Sequence, residues 1–392
     1  MSVPGWLLER LAAAGGSVPF PTYMDWALHD PDHGAYGSGS LRIGPDGDFT
    51  TAPSLGPDFA ALLAVQVADW LQQLAASQPP HAPLALVEAG PGEGSLAADL
   101  AAALAESWPA LAARTELVLV EPNGGMAARQ RQRLVGCPLP CRWSSFAELA
   151  QAPLRGVLLA HEVLDALAVE RIVWDGAHWR RQQVVLHGSD PAGPSLRLEP
   201  GEPLEPATHE ALEALGLLPP SPQRAPGWCT ELHPGLEPWL RQAAGCLSGG
   251  ALLVIDYALE AWRYYAPQRS GGTLLAYRDQ VACPDPLRDP GATDLTAHLC
   301  IDSLERAAAA TGWQGLGGCR QGEALLALGL AQRLHGLQRD PGGLADLLPR
   351  REALLRLVDP HALGDFRWVA YGRGDDPMGR PRFLQEPARP NA

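Results

Sequence analysis

LALVEAGPGEGSL, residues 84–96, joins a short apolar run to a turn with three glycines and then to a helical pattern. Leu96, Leu100 and Leu104 recur at helical spacing, so the segment from Ser95 to Ser107 is predicted to be a helix. Glycine lets a backbone turn sharply and approach a ligand closely at the carboxyl end of a strand. The segment therefore predicts a strand, a ligand-binding turn and a helix.

The same alternation continues on both sides of this segment. Seven apolar residues between Phe59 and Leu74 form a helical stripe, and buried strands are predicted at 117–120, 156–160 and 251–257. Strands that alternate with helices predict an α/β fold, with a doubly wound, Rossmann-like parallel sheet covered on both faces.

Other patterns interrupt this core. An Asp175-Gly176 turn between apolar runs predicts an inserted hairpin, and 188–227 is interpreted as mostly loop around one short helix. A further loop is expected from 264 to 296, and Asp302 with Glu305 predicts a capping box for a helix at 303–311. We divide the chain into a helical cap with a lid loop (1–80), the first part of the ligand-binding core (81–170), the insertion (171–228), the second part of the core (229–384) and a tail (385–392).

Composition excludes several classes of protein. The net charge of -14 argues against a binder of nucleic-acid phosphates, and all 30 basic residues are arginines, which excludes chemistry based on a lysine. Seven cysteines predict reduced thiols, and Cys137 with Cys141 lack a second pair for a metal site, so we expect no metal. Neither a membrane span nor a signal peptide is recognisable, so a cytoplasmic location is expected.

The acidic residues around the glycine turn indicate which cofactor it binds. A dinucleotide fingerprint has glycine where this chain has Ser95, and it places a pyrophosphate at the helix N-terminus. Here Glu88, Glu93 and Asp99 surround the turn with negative charge, which repels pyrophosphate but suits a sulfonium and an ammonium. S-adenosylmethionine is therefore the predicted cofactor, held by Glu88 and by the three glycines Gly90, Gly92 and Gly94.

Glu121 ends the second predicted strand, 121 - 90 = 31 residues after Gly90. A carboxylate at this position can accept hydrogen bonds from both ribose hydroxyls, although the usual dinucleotide spacing is about 20 residues. The alternatives are a purely structural turn for the glycines and a solvated strand end for Glu121.

Several separate motifs resemble one family. From about Pro19 to Gly372 the chain resembles the MidA-like methyltransferases, whose members include a mitochondrial complex I assembly factor that methylates a protein arginine. The motifs that carry the resemblance are Tyr23-Met24, Asp30 to Tyr36, Gly47 to Pro53, Glu88 to Leu96, Glu162 to Leu167, Ile255 to Tyr257, Asp294 to His298 and Gln321 to Leu326. Among the departures, His161 replaces the family's Asn.

The resemblance implies a methyltransferase that acts on a protein arginine, with a subunit of a respiratory complex as its partner. Carboxylates can grip two guanidinium nitrogens and orient the third. Glu162 and Asp165 are the predicted catalytic residues, with Asp48 and Glu231 as further candidates. The alternative is that Asp165 caps a helix while Glu162 pairs with an arginine. A small-molecule methyltransferase and a non-catalytic assembly factor that binds the donor also remain open.

Two further segments complete the predicted cofactor site. The resemblance implies that the lid loop with Gly47, Asp48 and Thr51 contacts the donor, although a surface turn fits the same residue types. Trp143 and Ser144 lie where related folds hold the adenine, and Trp143 is alternatively a core residue.

Overall fold

The computed structural model of the chain describes residues 3–39, 41–44, 47, 50–188, 193–218, 220–337, 344–374 and 378–386, with only the backbone at 344–346. Its N-terminal part contains α1 (Gly5–Ala13), β1 (Ser17–Pro19), α2 (Phe20–His29) and α3 (Asp58–Ala76). A short 3-10 turn at Ala52–Leu55 precedes α3.

The remaining elements follow in chain order. The first part of the core contains β2 (Leu84–Ala89), α4 (Ser95–Ser107), α5 (Pro109–Ala112), β3 (Thr115–Val120), α6 (Gly124–Arg133), β4 (Cys141–Ser144), α7 (Phe146–Leu149) and β5 (Leu154–His161). After it come β6 (Glu170–Trp174), β7 (Trp179–His187), β8 (Ser195–Pro203), α8 (His209–Ala214) and β9 (Cys229–Leu232). The chain continues with α9 (Leu236–Gly245), β10 (Leu247–Asp256), β11 (Ala258–Leu259), α10 (Ala261–Tyr264), β12 (Leu275–Arg278), β13 (Val281–Cys283), β14 (Asp294–Thr296) and β15 (Leu299–Cys300). The last elements are α11 (Ile301–Ala310), β16 (Gln314–Arg320), α12 (Gln321–Ala327), α13 (Leu330–Leu337), α14 (Leu344–Arg356) and β17 (Arg367–Arg373).

The central sheet has seven strands in the order β16-β17-β10-β5-β2-β3-β4. The strands from β10 to β4 are parallel, and β17 is antiparallel to both of its neighbours. After β2 the chain adds β3 and β4 on one side and then returns to add β5 on the other, so the strand order reverses between β2 and β5. In open α/β sheets ligands bind at such a point, outside the carboxyl ends of the strands.

Helices cover both faces of this sheet, as the doubly wound prediction requires. Alternate side chains of β2 point to opposite faces, because successive residues of a strand do so. Leu86 packs with α3 and α4, whereas Val87 packs on the side of α9 and α11. The predicted helix and strands of the core are confirmed at α3, β2, α4, β3, β5 and β10.

α3 would be long and apolar enough to cross a membrane, judged by length and composition alone. In this structure, 61% of that apolar window is buried inside the protein. Asp58 in its first turn accepts hydrogen bonds from Arg350 at 2.6 and 2.8 Å and also pairs with Arg333. These contacts attach α3 to the C-terminal helices, so it serves as a core helix.

A second sheet contains β1, β7, β6 and β9, with β8 paired to β7. The predicted hairpin is β6–β7, and its turn is closed by Asp175, whose Oδ1 accepts the Ala177 N–H at 2.8 Å. Because β1 and β9 join this sheet, it recruits strands from both sides of the predicted insertion.

Three local predictions are wrong. β8 lies inside the segment expected to be loop; it is an edge strand, where its prolines are tolerated because no neighbour needs their missing N–H groups. The expected loop 264–296 contains a three-stranded sheet, β13-β12-β14. Asp302 forms no capping box, because α11 begins one residue before it and its Oδ2 instead accepts the Ala261 N–H at 2.7 Å.

Candidate functional site

The glycine turn after β2 adopts backbone conformations that favour glycine. Gly90, Gly92 and Gly94 have φ values of 61°, 52° and 78°. A Cβ atom on Gly90 would lie 2.8 Å from Val163 Cγ2, and one on Gly92 would lie 2.8 Å from Ile43 Cδ1. The turn therefore leaves no room for a side chain towards the segment after β5 at Gly90 or towards Ile43 at Gly92.

Glu88 lies on β2 just before this turn, and its carboxylate is fully buried. Its Oε2 has no hydrogen-bond partner. Burial raises the pKa of Glu88 to about 8, since a charged carboxylate is disfavoured away from water. An unpartnered buried carboxylate beside a glycine turn fits a cationic ligand group, which the ammonium of S-adenosylmethionine would supply.

Glu121 comes directly after β3, next to the turn. Its Oε1 accepts the Asn123 N–H at 2.9 Å, and its Oε2 accepts the side-chain N–H of Gln130 at 3.0 Å. Burial raises the pKa of Glu121, and the two hydrogen bonds lower it by less. Each carboxylate oxygen keeps acceptor capacity, so two hydroxyl groups of a ribose can still bind.

Trp143 lies on β4, beyond Glu121 along the sheet edge. Its indole N–H donates to Gln130 Oε1 at 2.8 Å, and the Arg131 guanidinium lies 4.7 Å from the ring centroid. The hydroxyl of Ser144 donates to Glu148 Oε2 at 3.1 Å. The structure thus brings Trp143 to the same edge as Glu121, connected through Gln130.

The lid segment is only partly described. Gly47 O accepts a hydrogen bond from the Gln280 side chain at 3.3 Å, and Asp48 lies outside the described residues. Thr51 precedes the 3-10 turn, and the N–H of Ala52 hydrogen-bonds to the Glu162 carboxylate. The end of the lid therefore meets the predicted catalytic residues.

Glu162 and Asp165 follow β5, on the far side of the glycine turn from Glu121. Glu162 has a φ of 52°, a conformation that is uncommon for a residue with a side chain. Both carboxylates are buried, and Glu162 Oε1 and Asp165 Oδ1 have no hydrogen-bond partner. Asp165 lies in a turn rather than at a helix start, so it does not cap a helix.

Two more buried acids, which we did not select from the sequence, join this pair. Asp256 at the end of β10 accepts the backbone N–H groups of Leu164 and Asp165 through Oδ2, at 3.1 and 3.2 Å. Asp294 accepts the Tyr36 hydroxyl through Oδ1 at 2.9 Å. Both acids lie within motifs of the resemblance, which was the available signal, but no spacing in the sequence shows that they meet Asp165.

We call Glu162, Asp165, Asp256 and Asp294 the acidic cluster. Burial raises the pKa values of Glu162 and Asp165, and Asp165 and Asp294 raise that of Glu162 further. Burial also raises the pKa of Asp256, to about 8. Among the residues that the structure describes, no arginine pairs with Glu162, Asp165 or Asp256. Glu162, Asp165 and Asp256 thus bring buried carboxyl groups together, and a cation would stabilise their charged form.

Glu231, which was a further candidate from the sequence, lies outside the acidic cluster. Glu231 on β9 is fully buried, and its Oε2 accepts the Thr273 N–H at 2.9 Å and the Tyr264 hydroxyl at 3.2 Å. Arg171 approaches its Oε1 at 3.9 Å. These contacts give Glu231 a structural role in holding the second sheet against the segment after α10.

His161 packs edge-on against Phe59, with ring centroids 5.3 Å apart. Burial lowers the pKa of His161 to about 3, so the ring is neutral. Its Nδ1 lies 3.4 Å from Glu162 Oε1. The residue that departs from the family pattern is therefore a neutral ring next to a predicted catalytic carboxyl group.

One group in the described part of the chain could hold a metal ion: Asp30, Asp32 and His33, whose ligand atoms lie within 4.8 Å of one another. Asp30 Oδ1 already accepts the N–H groups of Asp32 and His33, at 3.0 and 2.9 Å, and the carboxylate pairs with Arg10. These bonds order the loop after α2.

Comparison with known proteins identifies relatives over nearly the whole chain. Residues 62–319 match the model of a family described as "Putative S-adenosyl-L-methionine-dependent methyltransferase". The chain is 26% identical to the mitochondrial protein arginine methyltransferase NDUFAF7 homolog of Drosophila melanogaster, over 93% of this chain and 84% of that protein. It is 27% identical to mitochondrial NDUFAF7 of Danio rerio, over 92% and 85%.

A solved structure agrees with this result. A COG1565 superfamily member from Burkholderia thailandensis, bound to S-adenosyl-homocysteine, is 30% identical and covers 98% of both chains, with a TM-score of 0.81. This structure and the family match confirm the predicted cofactor. The expected cytoplasmic location is contradicted, because the animal relatives are mitochondrial proteins.

Proposed function

The chain belongs to a family of S-adenosyl-L-methionine-dependent methyltransferases, and we propose that its methyl acceptor is an arginine side chain of a protein. Two relatives that align with more than nine-tenths of this chain are named protein arginine methyltransferases. When bound, the donor supplies an electrophilic methyl group on a positively charged sulfur. The chain must therefore bind two cations close together, and its residues fit that requirement.

One observation carries the choice of arginine: the acidic cluster lies next to the glycine turn. A Cβ atom on Gly90 would lie 2.8 Å from the side chain of Val163, the residue directly after Glu162, so the two sites are adjacent. A guanidinium is planar, carries charge at neutral pH and has five donors for oxygen acceptors. The unpartnered oxygens of Glu162 and Asp165 are the acceptors that we assign to two of its nitrogens.

The donor site that we propose lies on the other side of the turn. Glu88 binds the ammonium, Gly90, Gly92 and Gly94 allow close backbone approach, and Glu121 accepts the ribose hydroxyls. The adenine packs beside Trp143 and Ser144. Gly47, Thr51 and Asp48 belong to the lid, as the resemblance implies.

Methyl transfer forms a bond from nitrogen to carbon while the bond from sulfur to carbon breaks. The methylated guanidinium returns to a single positive charge when its nitrogen loses one proton. Glu162 and Asp165 orient the nitrogen by binding its neighbours, which is the main requirement of such a displacement. Glu162 can accept this proton, because the bound guanidinium favours its charged carboxylate and burial raises its pKa, which makes the carboxylate a stronger base.

Labelled S-adenosylmethionine tests this proposal. The purified chain is incubated with a peptide containing one arginine, with the same peptide carrying lysine instead, and with a small guanidino compound. Mass spectrometry then locates the label, and the intact mass of the chain corrects for methylation of its own 30 arginines.

We expect label on the arginine peptide only. Transfer to the guanidino compound alone would favour a small-molecule methyltransferase. Binding of S-adenosylhomocysteine without transfer to any acceptor would favour a non-catalytic assembly factor.

A further inference from the structure

Gln130 lies on α6, and its side chain is fully buried at the edge of the central sheet. Its Nε2 donates to the carbonyl oxygen of Gly92 at 2.8 Å and to Glu121 Oε2 at 3.0 Å. Its Oε1 accepts the indole N–H of Trp143 at 2.8 Å. One side chain thus connects the glycine turn, the carboxylate after β3 and the aromatic ring on β4.

The chemistry of these partners requires an amide at this position. A carbonyl and a carboxylate only accept hydrogen bonds, and an indole N–H only donates. The amide of Gln130 supplies two donors and one acceptor in the matching places, so its orientation is determined by its partners. Glutamate lacks the donors, and leucine or methionine lacks all three groups.

In the donor site proposed above, on which this inference rests, each of the three partners has a different role. Gly92 provides the backbone that approaches the donor, Glu121 provides the acceptors for the ribose, and Trp143 provides a flat ring. Arg131, the next residue of α6, stacks on that ring at 4.7 Å, so α6 fixes both the edge and one face of the indole.

We propose that Gln130 is a positioning residue of the donor site, which holds Gly92, Glu121 and Trp143 in the arrangement that binds S-adenosylmethionine. It acts through these three residues without contacting the donor. The glutamine aligns Glu121 by occupying one acceptor position on Oε2, while the Asn123 N–H occupies one on Oε1. The remaining acceptor positions are left for the ribose. The identity of the methyl acceptor does not enter this inference.

A second buried glutamine, Gln66, serves as a control that distinguishes an effect on the donor site from a general loss of stability. Gln66 on α3 is equally buried, and its Oε1 accepts the Phe383 N–H at 3.0 Å, in a part of the core that does not border the turn. Gln130→Leu and Gln66→Leu should both lower the melting temperature. Only Gln130→Leu should lower the affinity for S-adenosylhomocysteine. We expect a loss of about 10-fold or more, because a charged hydrogen bond that orients Glu121 is lost.

A double-mutant cycle tests the route by which Gln130 acts. In a Glu121→Ala background Gln130→Leu should cost clearly less affinity than it costs alone, because its main partner is already absent. Titration calorimetry with S-adenosylhomocysteine on the full chain measures all four affinities. If Gln130→Leu does not fold, Gln130→Met, which keeps the length of the side chain, takes its place.

Affinity within twofold of the parent in the folded Gln130 variant would overturn the proposal. Losses that simply multiply in the double variant would overturn Glu121 as the main route by which Gln130 acts.

Discussion

Asp256 Oδ2 accepts the backbone N–H of Asp165 at 3.2 Å, although the two residues are 91 positions apart in the chain. Asp256 ends β10 and Asp165 follows β5, and these strands are parallel neighbours. The Asp256 carboxylate also accepts the N–H groups of Leu164 and Tyr257. The end of one strand thus fixes the position of the predicted catalytic residue at the end of the next.

Asp165→Asn should keep donor affinity near normal and slow methyl transfer by at least ~100-fold, because an oriented charge is neutralised in a closed site. The side chain keeps its shape, and the backbone bond to Asp256 is retained. Labelled-donor turnover and binding of S-adenosylhomocysteine are measured on the same preparation. Asp175→Asn, in the turn of the β6–β7 hairpin, is the control. Parental turnover in Asp165→Asn would remove Asp165 from the reaction.

The left-handed backbone conformation of Glu162 should lower the stability of the protein. At its φ of 52° any residue with a Cβ atom is strained, so Glu162→Gly should be more stable than Glu162→Ala by about 1 kcal/mol. Both variants should lose methyl transfer. At Glu305 inside α11 the order of the two substitutions should be reversed, because glycine destabilises a helix interior. Denaturant unfolding measures the four free energies, and equal stability of the Glu162 pair would contradict the strain.

Glu121→Ala should weaken the binding free energy of S-adenosylhomocysteine by about 1.5 to 3 kcal/mol if the carboxylate holds the ribose through charged hydrogen bonds. Glu116→Ala is a matched control on the same strand, since Glu116 pairs with Arg142 near the surface. Calorimetry compares both with the parent. Unchanged affinity in the Glu121 variant would leave that carboxylate with a purely structural role.

Gly92→Ala should lower the affinity for S-adenosylhomocysteine by ~10-fold or more, because the added Cβ occupies the place of closest backbone approach and displaces Ile43. Gly15→Ala meets open space at a similar positive φ of 83°. Both variants should lose about 1 kcal/mol of stability from the left-handed conformation. If the two changes reduce binding equally, the effect at Gly92 is one of stability rather than of the site.

The protonation of Glu88 should make both the stability of the protein and its binding of the donor depend on pH. Because burial raises its folded-state pKa to about 8 from an ordinary 4.5, the folded chain holds a proton that the unfolded chain has lost between these pH values. The contribution of Glu88 to stability therefore falls as pH rises from 4.5 to 8, and Glu88→Gln should flatten that decline. A bound ammonium favours the carboxylate, so binding of S-adenosylhomocysteine at pH 7 should release up to about one proton.

Calorimetry in two buffers with different ionisation enthalpies counts the protons released. The Glu88→Gln variant should release fewer than the parent. Equal counts in the two proteins would place the ammonium elsewhere.

The sequence alone predicted the core of the fold, because its signals are local. The apolar runs that became β2, β3, β5 and β10 are short and fully buried, and the glycine turn needs conformations that only glycine adopts readily. The edge strand β8 and the sheet β12–β14 were missed. β8 is partly exposed and contains proline and glycine, and β12 to β14 are only three or four residues long, so neither has a strong local pattern.

The difference between local and long-range signals also explains which residues of the site could be predicted from the sequence. Glu88 and Glu121 could be selected from the sequence because each lies at the carboxyl end of its own strand. Asp256, Asp294 and Gln130, in contrast, acquire their roles only through contacts with residues far away in the chain. Glutamine in an amphipathic helix carries no signal of its own. Asp256 meets Asp165 only because the parallel strands β10 and β5 align their ends, and Asp294 comes from the separate antiparallel sheet of β12 to β14. The sequence determined the core strands, the turn and the cofactor. The tertiary structure decided which acids meet, because burial at a shared sheet edge depends on strand order and register rather than on neighbours in the chain.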